Sequence, residues 1–376
     1  MYRKIAPLPD QPAALAVAEL RGLETVWQER KASLEGSGSL QEFLVRLKRD
    51  WAIETGVIER LYTWERGVTE VLIERGISTS LIAHAGGLTQ AEASQAKLLI
   101  DDQLDVIDGL FEVVKGDRPL TEHLIRGLHQ NFTLHQDYRG GVRVPLLKGA
   151  YKRDPNNPRR ADGTMHEYCP PELVDEEMGR LVAWYRDAES NAVAPEVLSA
   201  WLHHRFTQIH PFQDGNGRVA RALASLVFLK AGVFPLVIRK QDAQYIDLLE
   251  QADRGELGPL VPFFAERQKK SILAALAADY EVQRVEQIHE IIGAAVGVLE
   301  HRARAHEAEI EQVVEIAEHL RELARQQLAG IAATIDASIR KVANATEAWN
   351  SGVSSASPTD KKASWFYRQI VDVARA

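Results

Sequence analysis

Along most of this chain the apolar residues return every third or fourth position, which is the spacing of one buried helix face. The stretch "LQEFLVRLKRDWAIETGVIERLYTWERGVTEVLIERGI" keeps that period throughout, and Gly76 is placed to end it. "LTQAEASQAKLLIDDQLDVIDGLFEVVKG" opens with Thr89 and then Glu92, the spacing of a capping box, and closes at Gly116. Thr121 repeats the device at the head of "LTEHLIRGLHQNFTLH". Two more helices read as "VDEEMGRLVAWYRDAES" and "PEVLSAWLHHRFTQI", and Pro211 stops the second just past His210. "GRVARALASLVFLKAG" is another, ending near Gly232. The pattern predicts an all-α protein.

Two regions depart from it. From Tyr138 to Pro171 glycines, prolines and charges surround short β-prone pieces, "VRVPLL" and "GAYKR", and "DPNNPRRADGTMHEY" can turn between two short strands. This reads as a hairpin projecting from a helical body. From about Ser271 the composition shifts toward Ala, Glu, Gln and Arg. There Ile310, Val313, Ala317, Leu320, Ala324, Leu328, Ile331 and Ile335 form a seam for an antiparallel hairpin or coiled coil, through which two chains could associate. A polar linker, "NSGVSSASPTDKK", and an amphipathic "ASWFYRQIVDVARA" follow. The expected regions are therefore 1–115, 116–270 and 271–376.

Charge narrows the function. With 45 basic and 53 acidic residues the net charge is −8, against a general nucleic-acid binder. The single cysteine, Cys169, allows no intramolecular disulfide and no CxxC metal site. The first twenty residues lack the apolar core of a signal peptide, and no uninterrupted apolar run is long enough for a membrane span. A cytoplasmic protein is the expectation.

The densest chemistry is "IHPFQDGNGRVAR", set between two helices. Gly215, Asn216 and Gly217 suit unusual backbone angles, so their N–H groups can converge on an anion. The helix that follows points its N-terminal amides and dipole at the same place. Arg218 adds a charge suited to phosphate, and Asp214 can hold Mg²⁺ together with substrate phosphates. His210 has the side chain suited to a general base near neutrality.

"HPFQDGNGR" resembles the signature of the Fic family, H-P-F-x-[D/E]-G-N-[G/K]-R, at every position, and the likeness extends more loosely from about Leu120 to Phe264. The resemblance implies a Fic-type helical core with a β-hairpin flap that docks targets, and transfer of AMP from ATP to a Ser, Thr or Tyr hydroxyl of a target protein. It implies His210 as the base, Asp214 as the Mg²⁺ ligand, and Gly215, Asn216 and Gly217 as the anion hole. Arg218 would hold the β-phosphate, Phe212 would anchor the loop, and Tyr245 would contact adenine or ribose.

Many family members carry an inhibitory helix, [S/T]-x-x-x-E-[G/N], whose glutamate pairs with the second arginine of the motif, here Arg221. "TGVIER" offers Thr55 and Glu59 but continues with Arg60; "SLIAHAGGLT" is a rival register with His84 at the glutamate position. Transfer of UMP or phosphocholine, and removal of AMP, are alternatives on the same scaffold. Phosphorylation of the Doc type is disfavoured because Gly217 stands where that branch has Lys. A silent interaction module and a DNA-binding C-terminal segment are the competing classes outside this chemistry.

Overall fold

The computed structural model describes residues 2–278, apart from 35, 65, 139–143 and 160–162, together with 310–342. The chain divides into two compact units, Met1–Tyr280 and Glu281–Ala376. The first is built from α1 (Ala18–Leu34), α2 (Gly38–Ile58), α3 (Arg66–Arg75), α4 (Thr79–Gly86), α5 (Gln90–Lys115), α6 (Glu122–Phe132), α7 (Val174–Ser190), α8 (Pro195–Ile209), α9 (Asn216–Lys230), α10 (Gln244–Asp253) and a further helix, α11, described over 260–278. The expected all-α class is what the chain adopts.

At its centre α8 and α9 form a helical hairpin joined by residues 210–215. Both are buried on nearly every face, from Leu198, Trp201, Leu202 and Phe206 on α8 to Val219, Leu223, Leu226 and Phe228 on α9. Such all-round burial needs a shell of other helices. It is supplied by α7 against α8, and by α5, α6 and α2 against α9. Ser199 Oγ donates to Ala224 O at 3.0 Å across the hairpin.

The long run expected to end at Gly76 is broken in its middle. Ser37 caps α2, which stops at Ile58, and Arg60 takes φ 56. The N–H of Leu61 then returns to Gly56 O at 3.0 Å, a left-handed helix stop. Tyr62 folds back on α2 and donates its hydroxyl to Ile53 O at 3.1 Å. A Cβ on Gly56 would lie 2.2 Å from that hydroxyl oxygen, so glycine is required there. Hydrophobic period carries through the break unchanged, which is why periodicity does not reveal it. Because Arg60 is exposed, Arg60→Gly is expected to raise stability by about 1 kcal/mol, relieving the cost of an L-residue in the left-handed region. Equilibrium urea unfolding measures it, and an unchanged midpoint contradicts it.

The Thr89–Glu92 capping box forms in both directions. Thr121 caps Leu124 N but has no carboxylate to reciprocate, so only half of the expected device is present. Among the described residues, the hairpin before the catalytic loop shows one antiparallel bridge between Arg159 and Met165, with His166 N on Pro158 O, and a second bridge joins Tyr138 and Pro145. The hairpin tip, 160–162, and most of "VRV" lie outside the described residues.

Residues 2–6 form an extended strap that the sequence does not announce. Tyr2 Oη and Ile5 N both donate to Glu177 Oε2 on α7, while Ala6 O accepts from Trp201 Nε1 and Arg205 Nε on α8. In the second unit the seam from Ile310 to Ile335 lies on one continuous helix, α12 (Ile310–Val342), with Arg321–Glu318 and Arg325–Glu322 pairs along it. The linker and terminal amphipathic piece lie outside the described residues. No helix among the described residues is long and apolar enough to cross a membrane.

Candidate active site

The site is the loop between α8 and α9. Pro211 disfavours helical backbone at His210, which leaves α8 with φ 53 and ψ 57 while its N–H still reaches Phe206 O at 2.9 Å. This strained conformation turns the imidazole away from the helix axis. Nδ1 lies 3.3 Å from Thr207 O; a carbonyl only accepts, so Nδ1 carries the proton and Nε2 presents its lone pair. The ring lies flat on Tyr168, 3.7 Å between centroids and 8° between planes. Burial, and then the charge of Lys152, push its pKa down to about 3, so it is neutral at ordinary pH.

The rest of the loop is pinned from inside. Phe212 is fully buried and stacks on His129 at 3.9 Å, anchoring the loop as expected. Asn216 uses its side chain on the loop itself: Oδ1 accepts from Phe212 N at 2.8 Å and Nδ2 donates to Phe212 O at 2.7 Å. Gly215 has φ 78, and its N–H donates to Asp214 Oδ1 at 2.7 Å. Of the expected cradle, that leaves the first-turn amides of Asn216, Gly217 and Arg218 with no intrahelical acceptor, since the first helical bond is Val219 N to Gly215 O.

Asp214 Oδ2 accepts from Gln136 Nε2 at 2.8 Å, so two neutral donors orient this carboxylate at the positive end of α9. Among the described residues no cluster of three or more His, Cys, Asp or Glu could hold a metal alone. One oriented carboxylate beside an anion cradle fits Mg²⁺, which is usually held by one or two carboxylates plus substrate phosphates. Arg218 packs under the loop. Its guanidinium is wholly buried, donating to Phe132 O at 2.9 Å and Gln136 Oε1 at 2.6 Å. It lies beneath Gly215, and its Nε has no hydrogen-bond partner among the described residues.

Glu59 Oε1 meets Arg221 Nη2 at 2.8 Å, and Thr55 O accepts from the same nitrogen at 3.2 Å. His84, the rival position, lies exposed in the last turn of α4. Tyr245, expected at the adenine or ribose, lies in the core. It is 5% exposed, its hydroxyl sits 2.9 Å from His203 Nε2, and it also interacts with Arg221. The amphipathic pattern of α10 buries this ring, and pattern alone does not separate a core tyrosine from a ligand contact.

Sequence reasoning missed several residues that shape the site. His129 accepts the Gly149 N–H on Nδ1 at 2.9 Å and so donates from Nε2 to Asp214 O at 3.0 Å. It lies on the buried face of α6 with Ile125, Leu128 and Phe132, and that apolar spacing was the one available signal. Gln136, Lys152, Asn156 and Tyr168 come from irregular segments where no periodicity points to them.

Burial also holds His129, at about 4, and His203 and His204 below the ordinary histidine range. These groups are neutral when folded and protonate at higher pH when unfolded. The unfolded state therefore binds more protons below about pH 6.5, and stability falls as pH drops from there through about 4. The melting temperature is expected to decline across that window and level off above it; a flat profile contradicts this.

The model of the Fic/DOC family matches residues 119–228, from α6 to near the end of α9. This segment belongs to the Fic/DOC family. Over 127 residues the chain is 33% identical to a protein adenylyltransferase Fic of Culex quinquefasciatus, covering 33% of this chain and 25% of that protein. A Nematostella vectensis protein of the same name is 35% identical over 137 residues, 36% and 30% of the two chains. The match thus spans about a quarter to a third of these relatives. Among solved structures, a Fic-domain signalling protein of Bacteroides thetaiotaomicron superposes with a TM-score of 0.58 and 26% identity, over 70% of this chain and 97% of that one. Fic-1 of Caenorhabditis elegans, at 22% identity and a TM-score of 0.54 over 69% and 71%, shares the fold.

Proposed function

We propose that this chain is a protein adenylyltransferase, transferring AMP from ATP to a hydroxyl side chain of a target protein and releasing pyrophosphate. The observation that carries it is the juxtaposition, within one pinned loop, of a neutral imidazole whose Nε2 is left as the proton acceptor and a helix N-terminus whose first-turn amides have no intrahelical acceptor. The target oxygen attacks the α-phosphorus, the bond from phosphorus to the pyrophosphate oxygen breaks, and the hydroxyl proton passes to His210 Nε2. The first-turn amides of α9 stabilise the negative oxygens. Mg²⁺, held by Asp214 and the phosphates, would neutralise charge on the leaving group. The activity for which these relatives are named supports this reading. Incubation with ATP, UTP, GTP or CDP-choline, each with Mg²⁺, followed by mass spectrometry of chain and candidate targets tests it. An AMP adduct from ATP alone is expected; a different adduct, or none, rejects it.

A second reading concerns control. A Cβ on Gly217 would lie 2.3 Å from Glu59 Oε1, so the Glu59 carboxylate occupies the space directly over the first turn of α9. That is where the positive helix end draws an anionic phosphate. We infer that Glu59, paired with Arg221, restrains productive seating of ATP until the end of α2 moves. The proposal includes a cytoplasmic setting, in keeping with one buried, unpaired cysteine. It also includes self-association through α12, whose Leu323 and Leu328 are exposed, to be tested by concentration-dependent sedimentation.

A further inference from the structure

The carbonyls flanking His210 are held from one short segment of the flap region. Lys152 N donates to Pro211 O at 2.8 Å, and Lys152 Nζ reaches Ile209 O at 3.5 Å. Asn156 Nδ2 donates to Phe212 O at 2.7 Å, while its Oδ1 accepts from Lys152 Nζ at 2.7 Å. Backbone on both sides of the imidazole is thus fixed by two side chains four residues apart. Lys152 is only 3% exposed, and among the described residues no carboxylate pairs with it. An ammonium buried among neutral acceptors is costly, and burial pushes Lys152 down to about 8 without removing its charge at neutral pH. The same nitrogen lies 5.8 Å from the centre of the Tyr168 ring, and that ring lies flat on His210.

We propose that Lys152 is a positioning residue for His210, setting the imidazole's orientation through the loop carbonyls and keeping it neutral by a fixed positive charge. The proposal rests on His210 being the base of the transfer reaction. Other groups facing His210 are accounted for. Tyr168 covers one ring face, Thr207 O receives Nδ1, His166 approaches from the flap and is itself near Asp253, and Asp214 lies further along the loop. Beside these, Lys152 brings an ammonium that is charged at neutral pH. A cation beside an imidazole disfavours the imidazolium form. After a hydroxyl proton arrives on Nε2, that charge also favours its onward release.

The test is the titration of His210 followed by imidazole ¹⁵N NMR in nucleotide-free protein, in wild type, Lys152→Gln and Lys152→Arg. Gln keeps a donor for Ile209 O and Asn156 Oδ1 while removing the charge; Arg keeps the charge. In Lys152→Gln the His210 midpoint is expected to rise by about one pH unit or more, with Lys152→Arg close to wild type. The acid limb of AMP transfer should move by the same amount, with KM for ATP changed less than about twofold. An unmoved midpoint in Lys152→Gln, or equal midpoints in the two variants, overturns the proposal. So does a wild-type midpoint near the ordinary histidine value, which needs no variant to fold. Because the titration needs no turnover, absence of AMP transfer in wild type would sink the transferase reading and leave this result standing on its own.

Discussion

His210→Ala is expected to lower AMP transfer by about 10²–10⁴-fold, the range for loss of a positioned general base. The substitution removes the imidazole whose Nε2 is the proposed proton acceptor, while Asn216 stays occupied with Phe212 and Asp214 stays oriented by Gln136 and Gly215 N. The rest of the loop does not hang on the imidazole. Phe212 is held by His129 and Asn156, and Asp214 O by His129. The variant should therefore fold and bind ATP with nearly wild-type affinity while kcat collapses. Initial rates with α-labelled ATP, beside calorimetric ATP binding, measure both. Transfer persisting within a few-fold of wild type would assign the base elsewhere.

The second large effect runs upward. Glu59→Gly is expected to raise transfer by about 5–150-fold, the usual span of a coupling between a restraint and a ligand. The carboxylate removed is the one poised over Gly217, so the amides of the first α9 turn become open to a terminal phosphate. A cost accompanies the gain. Arg221 is 2% exposed and loses its carboxylate, keeping Thr55 O and the Tyr245 hydroxyl. Glu59 is 20% exposed, which moderates the loss, so stability should fall by about 1–3 kcal/mol. Lower stability with an unchanged rate would make the pair structural only. The geometry also gives a physical reason for glycine at 217, since any side chain there would collide with Glu59 in this arrangement.

Much of the helical body is legible in the sequence because its signals are local. Thr89 and Glu92 mark the start of α5, Pro195 and Pro211 bracket α8, and Gly232 follows α9. The break between α2 and α3 escapes this reading. The apolar period continues through it, and the residue that takes the left-handed turn is Arg60 rather than Gly or Asn. Glu59 sits at that break, as the C-cap of α2, and the turn is what frees its side chain to leave the helix face.

The site divides along the same line. His210, Phe212, Asp214 and the glycines share one loop, so their chemistry reads directly from nine consecutive residues. Arg218 and Tyr245 carry the right functional groups, but residue type does not say which way a side chain points. Packing sent Arg218 under the loop to Phe132 O and Gln136, and Tyr245 to His203. The sequence by itself determined the all-α class, the helix boundaries set by caps and prolines, and the loop that holds the base and the phosphate cradle, because each depends on neighbours a few residues apart. Only the tertiary structure decided that Glu59 meets Arg221 across 162 positions, and that Lys152 and Asn156 clamp the loop from more than fifty residues away. Contacts at such separations depend on how α2, the flap segment and α9 pack together, and no local pattern encodes them.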